Sequence, residues 1–343
     1  MKIVKKYVVV LLIFTAIFLV GCFQEILDGD KNSDNTSSDN KVFYDITFMV
    51  DNEIYQTEKI ILGGQVVKPK NPSKENYIFL HWCKDSNCKT EYDFSNMVYK
   101  NLTLYASFTI DASTITSEIT KNYIRGVFTI KVTSSKTIYE KWDIFKLGGT
   151  TYKSGSQGSG VCFRHNNGTY YVLTNCHVAK KESGYTSVSY VVEDYRGKTY
   201  TAYLYKNSNK SSSAISADYD LACLYFKSSE EYPVFSISSD DPVVNDDVIS
   251  IGTPGGQTNA VAFGKVLRYS QIDLDNTEEY LSNVTFSVIV HNAFTDRGSS
   301  GGPLIDAYYN IIGINYAGVE DNSYGSSIPP SRIKEFLNTF VYD

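Results

Sequence analysis

A serine flanked by glycines is the feature that most constrains this chain. Residues 297–304 read Arg-Gly-Ser-Ser-Gly-Gly-Pro-Leu, with strand-forming residues on both sides. The spacing Gly298-x-Ser300-x-Gly302 fits the nucleophile elbow of α/β-hydrolases, in which the base is a histidine later in the chain. The histidines are at positions 81, 165, 177 and 291, so none follows Ser300. If Ser300 is a nucleophile, its base must come from an earlier segment.

Two upstream segments carry the residue types that such a serine needs. His177 ends a run of strand formers that begins at Tyr170, and Asp220 opens a strand-like stretch that ends at Phe226. A lone buried carboxylate is unfavourable, so Asp220 needs a partner, and the imidazole N–H of His177 would provide one. Asp218 competes for this role, but the Asp-Leu-Ala string begins at Asp220. The order His, Asp, Ser is that of chymotrypsin-like barrels.

Three motifs follow one another along the chain and contain, in this order, the histidine, the aspartate and the serine. They are Leu-Thr-Asn-Cys-His-Val ending at 178, Asp-Tyr-Asp-Leu-Ala at 218–222, and Gly-Ser-Ser-Gly-Gly-Pro-Leu ending at 304. Together they resemble the motifs of trypsin-like serine proteases of the HtrA/Deg and glutamyl endopeptidase type. The resemblance implies an all-β fold for residues 121–343, with two six-stranded antiparallel barrels and a C-terminal helix. The helix also has its own signal, an apolar stripe after Pro329-Pro330-Ser331.

The same resemblance assigns roles to individual residues. Ser300 would attack the scissile carbonyl, His177 would carry the proton, and Asp220 would fix the tautomer of the imidazole. The N–H groups of Gly298 and Ser300 would form the oxyanion hole, and neither a metal nor a cofactor is required. A bound peptide would lie along residues 311–318 as an added strand. The expected substrate contacts are His291, Phe294, Asn315 and Tyr316.

The N-terminus has the features of an export signal. Three lysines precede an apolar run from Tyr7 to Val20, which is too short for a comfortable span of about 20 residues. Leu19-Val20-Gly21-Cys22 resembles a bacterial lipobox, which implies cleavage before Cys22 and lipidation of its thiol. An uncleaved anchor and a plain secretory signal are the alternatives. We predict a signal peptide at 1–21, a disordered stalk at 22–41, and an extracytoplasmic lipoprotein held at the membrane surface through Cys22.

Charge disfavours one class of partner. The formal net charge is −6, and loss of residues 1–21 removes three lysines and no acid, which brings it to −9. The chain has no basic patch, so we do not expect it to bind nucleic acid.

Residues 42–109 have the pattern of a small β module. Apolar residues alternate through Ile46 and Phe48, and prolines at 69 and 72 exclude a helix. Gly64-x-Val66, both prolines, Trp82 and Leu-Tyr-Ala at 104–106 resemble the Listeria–Bacteroides, or internalin B-type, repeat. This implies one β-grasp-like copy, although Asn76 and His81 stand where that pattern has glycines. It would act as a spacer or bind a surface ligand, and the Thr/Ser-rich residues 110–120 would be a linker.

Because the N-terminal signal predicts export, the cysteines are interpreted as those of a protein in an oxidising compartment. His81, Cys83 and Cys88 do not have zinc-finger spacing and lack a fourth ligand, so a disulfide or two thiols is the better interpretation. Cys162 and Cys176 lie on adjacent predicted strands beside His177, where a bridge is allowed outside the cytoplasm. Cys223 would be a buried free thiol.

The sequence thus predicts a membrane-anchored serine endopeptidase that acts on protein or peptide substrates. The alternative is a non-catalytic surface lipoprotein that binds or adheres through a protease-like fold. The presence of His177, Asp220 and Ser300 with their flanking motifs favours the enzyme. An esterase would use the same three residues without an extended peptide groove.

Overall fold

The computed structural model describes residues 41–139, 148–252, 260–271, 283–318 and 324–343. The predicted signal peptide, its lipidation site at Cys22 and nearly all of the predicted stalk lie outside these ranges. Within the described ranges, no helix is both long and apolar enough to cross a bilayer.

The first module is a four-stranded mixed sheet. Ile46 and Phe48 are fully buried and alternate with the half-buried Thr47 and Met49, as expected for a strand with one face on the core. Asp51 and Asn52, at φ 48° and 67°, form a two-residue hairpin turn of the kind that suits the twist of two strands. The order is β2-β1-β4-β3 with β1 and β4 parallel, for strands β1 (Phe43–Val50), β2 (Glu53–Ile61), β3 (Tyr77–Cys83) and β4 (Leu102–Ile110).

The segment expected as a linker is ordered, which corrects the sequence analysis. Helix α1 (Ala112–Glu118) is capped at its N-terminus by Asp111, whose carboxylate accepts a hydrogen bond from the Thr114 N–H at 3.1 Å. A π-helical turn at Ile119–Tyr123 and a 3-10 turn at Ile124–Gly126 follow. Ile115 and Ile119 are fully buried in the core of the next domain, so tertiary packing holds the helix despite its Thr/Ser composition.

The first barrel contains a ring of six antiparallel strands, and β10 adds a short seventh. The order is β10-β11-β7-β6-β5-β8-β9, and a pairing of β11 with β9 closes the ring. Phe128, Val172 and Phe226 fill its interior. Its elements are β5 (Val127–Ile138), β6 (Thr150–Asn166), β7 (Thr169–Thr174), α2 (Cys176–Ala179), β8 (Ser187–Glu193), β9 (Thr199–Leu204), β10 (Ile215–Ser216) and β11 (Leu221–Lys227).

The second barrel is closed by six strands, and a helix covers it. The order is β12-β13-β14-β17-β16-β15, with β12 paired to β15. The strands are β12 (Asp247–Gly252), β13 (Ala260–Ser270), β14 (Val288–His291), β15 (Pro303–Ile305), β16 (Ile311–Gly318) and β17 (Gly325–Ile328). Helix α3 (Pro330–Phe340) buries Ile333, Phe336 and Leu337. The predicted two-barrel fold with its C-terminal helix is confirmed.

One hydrophobic core joins the two barrels. Val161 and Leu173 of the first barrel belong to the same buried cluster as Ile249, Ile305 and Ile314 of the second. His177, in the turn after β7, and Ser300, in the loop before β15, therefore belong to two barrels that share one core.

The repeat module contacts the second barrel at the turn after β15. The Asn76 side-chain amide donates to the Ala307 carbonyl at 2.7 Å, and the rings of Tyr77 and Tyr308 lie 6.4 Å apart. Asn76 has φ 65°, a left-handed conformation that asparagine tolerates better than most residues. This explains how Asn76 fills a position where the repeat pattern has glycine.

Candidate active site

His177 lies in a single helical turn at the end of β7. The strand ends at Thr174, and the Ala179 N–H then donates to the Asn175 carbonyl at 3.1 Å to form α2. This abrupt change from strand to helix turns the His177 side chain away from the ladder. The side chain is 14% exposed, so its ring is held by protein and still touches solvent.

Asp220 precedes β11 and is fully buried beside His177. Its Oδ1 accepts from the His177 main-chain N–H at 2.8 Å, and its Oδ2 lies 2.7 Å from His177 Nδ1. An ionised carboxylate can only accept, so Nδ1 carries the proton and Nε2 is the basic nitrogen. Asp218 is exposed and accepts from the Asn283 amide instead. The structure thus places Asp220, rather than Asp218, on the imidazole.

Ser300 lies in a tight loop with glycines at its critical positions. Gly298 and Gly301 have φ of 100° and 86°, which L side chains rarely adopt. The Ser299 N–H donates to the Asp296 main-chain carbonyl, and the Gly302 N–H donates to the Ser299 main-chain carbonyl. The loop is therefore held by its own backbone hydrogen bonds. The Ser300 hydroxyl lies 3.5 Å from the Tyr316 carbonyl oxygen of β16.

Strand β6 contacts both α2, the turn that carries His177 (the histidine turn), and the loop that carries Ser300 (the serine loop). The Ser159 N–H donates to the Ser300 carbonyl at 2.7 Å, and its hydroxyl donates to the Gly298 carbonyl at 2.7 Å. At the preceding residue, a Cβ on Gly158 would lie 2.7 Å from Val178 and 2.9 Å from the Ser300 carbonyl oxygen. Gly158 therefore allows the residue after His177 and the backbone of Ser300 to approach the same point.

Three of the four expected substrate contacts are buried. His291, Asn315 and Tyr316 are 0%, 2% and 3% exposed, whereas Phe294 is 49% exposed. Every residue of β16 from Ile311 to Tyr316 is buried, so both faces of this part of the strand are covered. Direct side-chain contact with substrate fits Phe294 best, and the four substrate contacts stay predictions.

A chain of buried hydrogen bonds explains the burial of His291 and Asn315. The Ser327 hydroxyl donates to Asn315 Oδ1 at 3.0 Å, and Asn315 Nδ2 donates to the Ser250 hydroxyl at 2.9 Å. Because the single hydroxyl hydrogen of Ser327 is donated to Asn315, His291 Nε2 must be the donor in its 3.0 Å contact with Ser327 Oγ. Burial lowers the pKa of His291 to about 4, partly opposed by the Ala293 main chain, so the ring is neutral at neutral pH.

Asn315 also holds the serine loop through its backbone. The Gly301 N–H donates to the Asn315 carbonyl at 2.9 Å, and the Asn315 N–H donates to the Gly302 carbonyl at 2.8 Å. The two glycines after Ser300 are thus fixed to β16. Asn315 therefore belongs to the scaffold of the loop, a role that sequence reasoning did not assign to it.

The cysteines of the predicted bridges are free thiols in the structure. Cys83, Cys88, Cys162 and Cys176 are all unbridged, as is Cys223. Burial raises the pKa of both Cys162 and Cys176 to about 12, which keeps these thiols protonated. The two pairings stay predictions. No cluster of three or more metal-ligating side chains occurs in the described part of the chain.

Sequence reasoning missed Ser159, Thr174 and Asn175. Thr174 is fully buried, and its hydroxyl donates to the Ser159 carbonyl at 2.7 Å, beside the serine loop. Asn175 is also fully buried, and its amide donates to the Asp220 main-chain carbonyl at 3.0 Å. The available signal was polar residues at the buried end of a strand, where side chains need partners.

Two families of known proteins match this chain. Residues 158–314 match the trypsin-like peptidase domain, and residues 44–107 match the Listeria-Bacteroides repeat domain. The chain therefore contains a trypsin-like peptidase domain and a Listeria–Bacteroides repeat. The matched ranges lie inside the predicted domains 121–343 and 42–109, whose boundaries stay predictions.

Individual relatives cover only part of the chain. The serine proteases Do-like HtrB and Do-like HtrA of Bacillus subtilis (strain 168) are each 30% identical, over 190 and 188 residues, and each alignment covers 53% of this chain. The chain spans 38% of the length of both relatives. The crystal structure of the active form of the Rv3671c protease from M. tuberculosis is 18% identical, covers 68% of this chain and 88% of that one, and has a TM-score of 0.47.

Proposed function

We propose that this protein is a serine endopeptidase that cleaves peptide bonds through Ser300, His177 and Asp220. One observation carries the proposal: the buried Asp220 carboxylate bonds both the main-chain N–H and Nδ1 of His177. This arrangement fixes the tautomer in which Nε2 carries the lone pair that a general base needs. The similarity to serine proteases supports the same reaction class.

In the proposed reaction, His177 Nε2 takes the Ser300 proton as Oγ attacks the scissile carbonyl. Asp220 stabilises the imidazolium, which then protonates the leaving amine. His177 then takes a proton from the water molecule that attacks the acyl carbonyl, and it returns that proton to Ser300 Oγ as the acid product leaves. The N–H groups of Gly298 and Ser300 would receive the oxyanion, at about 3 kcal/mol for each donor. The glycine at φ 100° and the clamped loop support such a preorganised site.

Labelling with a fluorophosphonate probe tests the nucleophile. We expect the full-length chain to be labelled at Ser300 and the Ser300→Ala variant to be unlabelled. Ser299→Ala is the matched control, because Ser299 is the adjacent serine and has no role in the reaction. Absence of label from the unmodified protein would contradict the proposal and favour the non-catalytic binding role.

We propose further that Cys22 carries the lipid that holds the enzyme on the outer side of the membrane. The apolar run before the lipobox-like sequence supports this, and a lipoprotein with two or more acyl chains is stably anchored. The full-length protein should partition into the detergent phase of Triton X-114, and Cys22→Ser should partition into the aqueous phase. Equal partitioning of the two proteins would contradict lipidation at Cys22.

The repeat module would hold the protease domain away from the membrane or bind a surface ligand. Its single copy and its contact with the second barrel support the spacer role. A spacer can be replaced by an unrelated domain of similar length without loss of protease activity at the cell surface. Loss of retention on that replacement in the Cys22→Ser background, where no lipid holds the protein, would support a ligand instead.

A further inference from the structure

We infer that Asn175 is a positioning residue that holds Asp220 in the conformation needed to orient His177. The inference rests on the proposed function, because it assigns a role within the same site. It begins from the backbone of Asp220, which has φ 46° and is not a glycine. This left-handed conformation is unfavourable for a residue with a side chain, so neighbouring contacts must hold it.

The Asn175 side chain provides such a contact. It is fully buried, and its Nδ2 lies 3.0 Å from the Asp220 main-chain oxygen. A carbonyl only accepts, so the amide must present its NH₂ group to Asp220. The Asp220 N–H donates in turn to the Ala217 carbonyl at 3.2 Å. Both polar groups of the strained peptide segment are therefore fixed, the carbonyl by Asn175 and the N–H by Ala217.

The contact closes a ring of hydrogen bonds around two short segments. Asn175 is two residues before His177, and the Asp220 carboxylate bonds the main chain and ring of His177. The histidine segment thus holds the aspartate through its backbone, while the aspartate holds the histidine through its side chain. If the Asn175 contact is lost, Asp220 can rotate away from the imidazole without breaking β11.

The Asn175 amide uses only one of its two polar groups. Asn175 Oδ1 is buried and has no hydrogen-bond partner among the described residues. A buried polar atom without a partner is unfavourable, and an apolar side chain of the same size would avoid it. An amide at this position is therefore explained by the donor that its NH₂ group provides to the Asp220 carbonyl, since its oxygen gains nothing from burial.

Steady-state kinetics of the full-length protein on a peptide substrate test the inference. We expect Asn175→Ala and the nearly isosteric Asn175→Leu to lower kcat by about 10- to 100-fold, because a misplaced orienting group loses that much. KM should stay within about twofold, since substrate binding is untouched. Asn175→Leu leaves the Asp220 carbonyl without its donor, so the kinetics are compared at a temperature where every variant is folded. Asn207→Ala is the matched control, a buried asparagine whose amide donates to the Val341 carbonyl instead.

A double-mutant cycle separates positioning from a general structural role. If Asn175 acts through Asp220, then Asn175→Ala should change kcat by less than about twofold in an Asp220→Ala background. An undiminished loss in that background, or an unchanged kcat in the single variants, would overturn the inference. An unmodified protein that neither cleaves peptide nor reacts with the fluorophosphonate would instead contradict the proposed function.

Discussion

The carbonyl oxygen of Ser159 occupies the space that a side chain on Gly301 would need. A Cβ at Gly301 would lie 2.2 Å from that oxygen and 2.3 Å from the Thr174 hydroxyl. Both atoms belong to the strands that carry the histidine turn, so neither can move alone. The glycine after Ser300 is thus required by a contact between the two barrels as well as by its φ of 86°.

Gly301→Ala should destabilise the protein far more than alanine at another glycine of the same backbone conformation. Gly197 has φ 84° and nothing within 4 Å of its Cβ position. We expect Gly197→Ala to lower the free energy of unfolding by about 1 to 2 kcal/mol from the backbone alone. Gly301→Ala should lose at least about 2 kcal/mol more, because overpacking is added. Equal losses in urea denaturation would contradict the clash.

Asp220→Asn should nearly abolish peptide hydrolysis, and Asp218→Asn should not. Loss of the orienting acid lowers kcat by about 10⁴-fold in Ser-His-Asp triads. Asp218 is exposed and contacts Asn283, so its replacement should leave kcat within about threefold. The two residues are two positions apart in one segment, which makes the pair a matched comparison. Similar kcat values for the two variants would show that Asp220 does not orient the base.

The burial of His291 predicts acid-dependent stability. Its pKa falls from an ordinary 6.5 to about 4 on folding. Between these two pH values the imidazole is protonated in the unfolded chain and neutral in the folded one. The contribution is fully present above pH 6.5 and is lost as the pH falls toward 4, by about 3 kcal/mol in all. Urea denaturation at several pH values should show this loss in the unmodified protein and not in His291→Gln. Parallel pH dependences would contradict it, because all other titrating groups are common to both proteins.

Asn76 should contribute to stability through its contact with Ala307. Asn76→Gly keeps the left-handed backbone and removes only the hydrogen bond to the Ala307 carbonyl. We expect a loss of about 1 kcal/mol, the usual net value of one hydrogen bond. Asn52→Gly is the control, since Asn52 has φ 67° within the hairpin turn of the repeat. A calorimetric transition that shifts equally in both variants would show that the interdomain bond contributes nothing.

Local patterns predicted those parts of the fold that local contacts decide. The apolar stripe of α3 and its preceding prolines fall within one segment, so the helix was visible in the sequence. The three motifs also came with enough neighbouring residues to place His177 at the end of a strand. Helix α1 was missed, because its Thr/Ser composition resembles a linker and the burial of Ile115 and Ile119 depends on distant residues.

The details of the site depended on pairings across long stretches of chain. Asn315 was assigned to substrate, yet Ser250 and Ser327 use its side chain from two other strands. Nothing near residue 315 indicates that both faces of its strand are buried. Asn175 was passed over because its partner, Asp220, is 45 residues away. Register across a barrel decides such contacts, and register cannot be deduced from one strand.

The left-handed backbone of Asp220 limits which residues evolution can place there. Glycine, asparagine and aspartate adopt this conformation most readily, and of these only aspartate carries a carboxylate. Glutamate would keep the charge but lacks that backbone preference and would extend its carboxylate by one methylene. The demands of the main chain and of the side chain thus coincide in one amino acid. A relative with any other residue here would have to change the path of its chain before β11, not only the chemistry of its base.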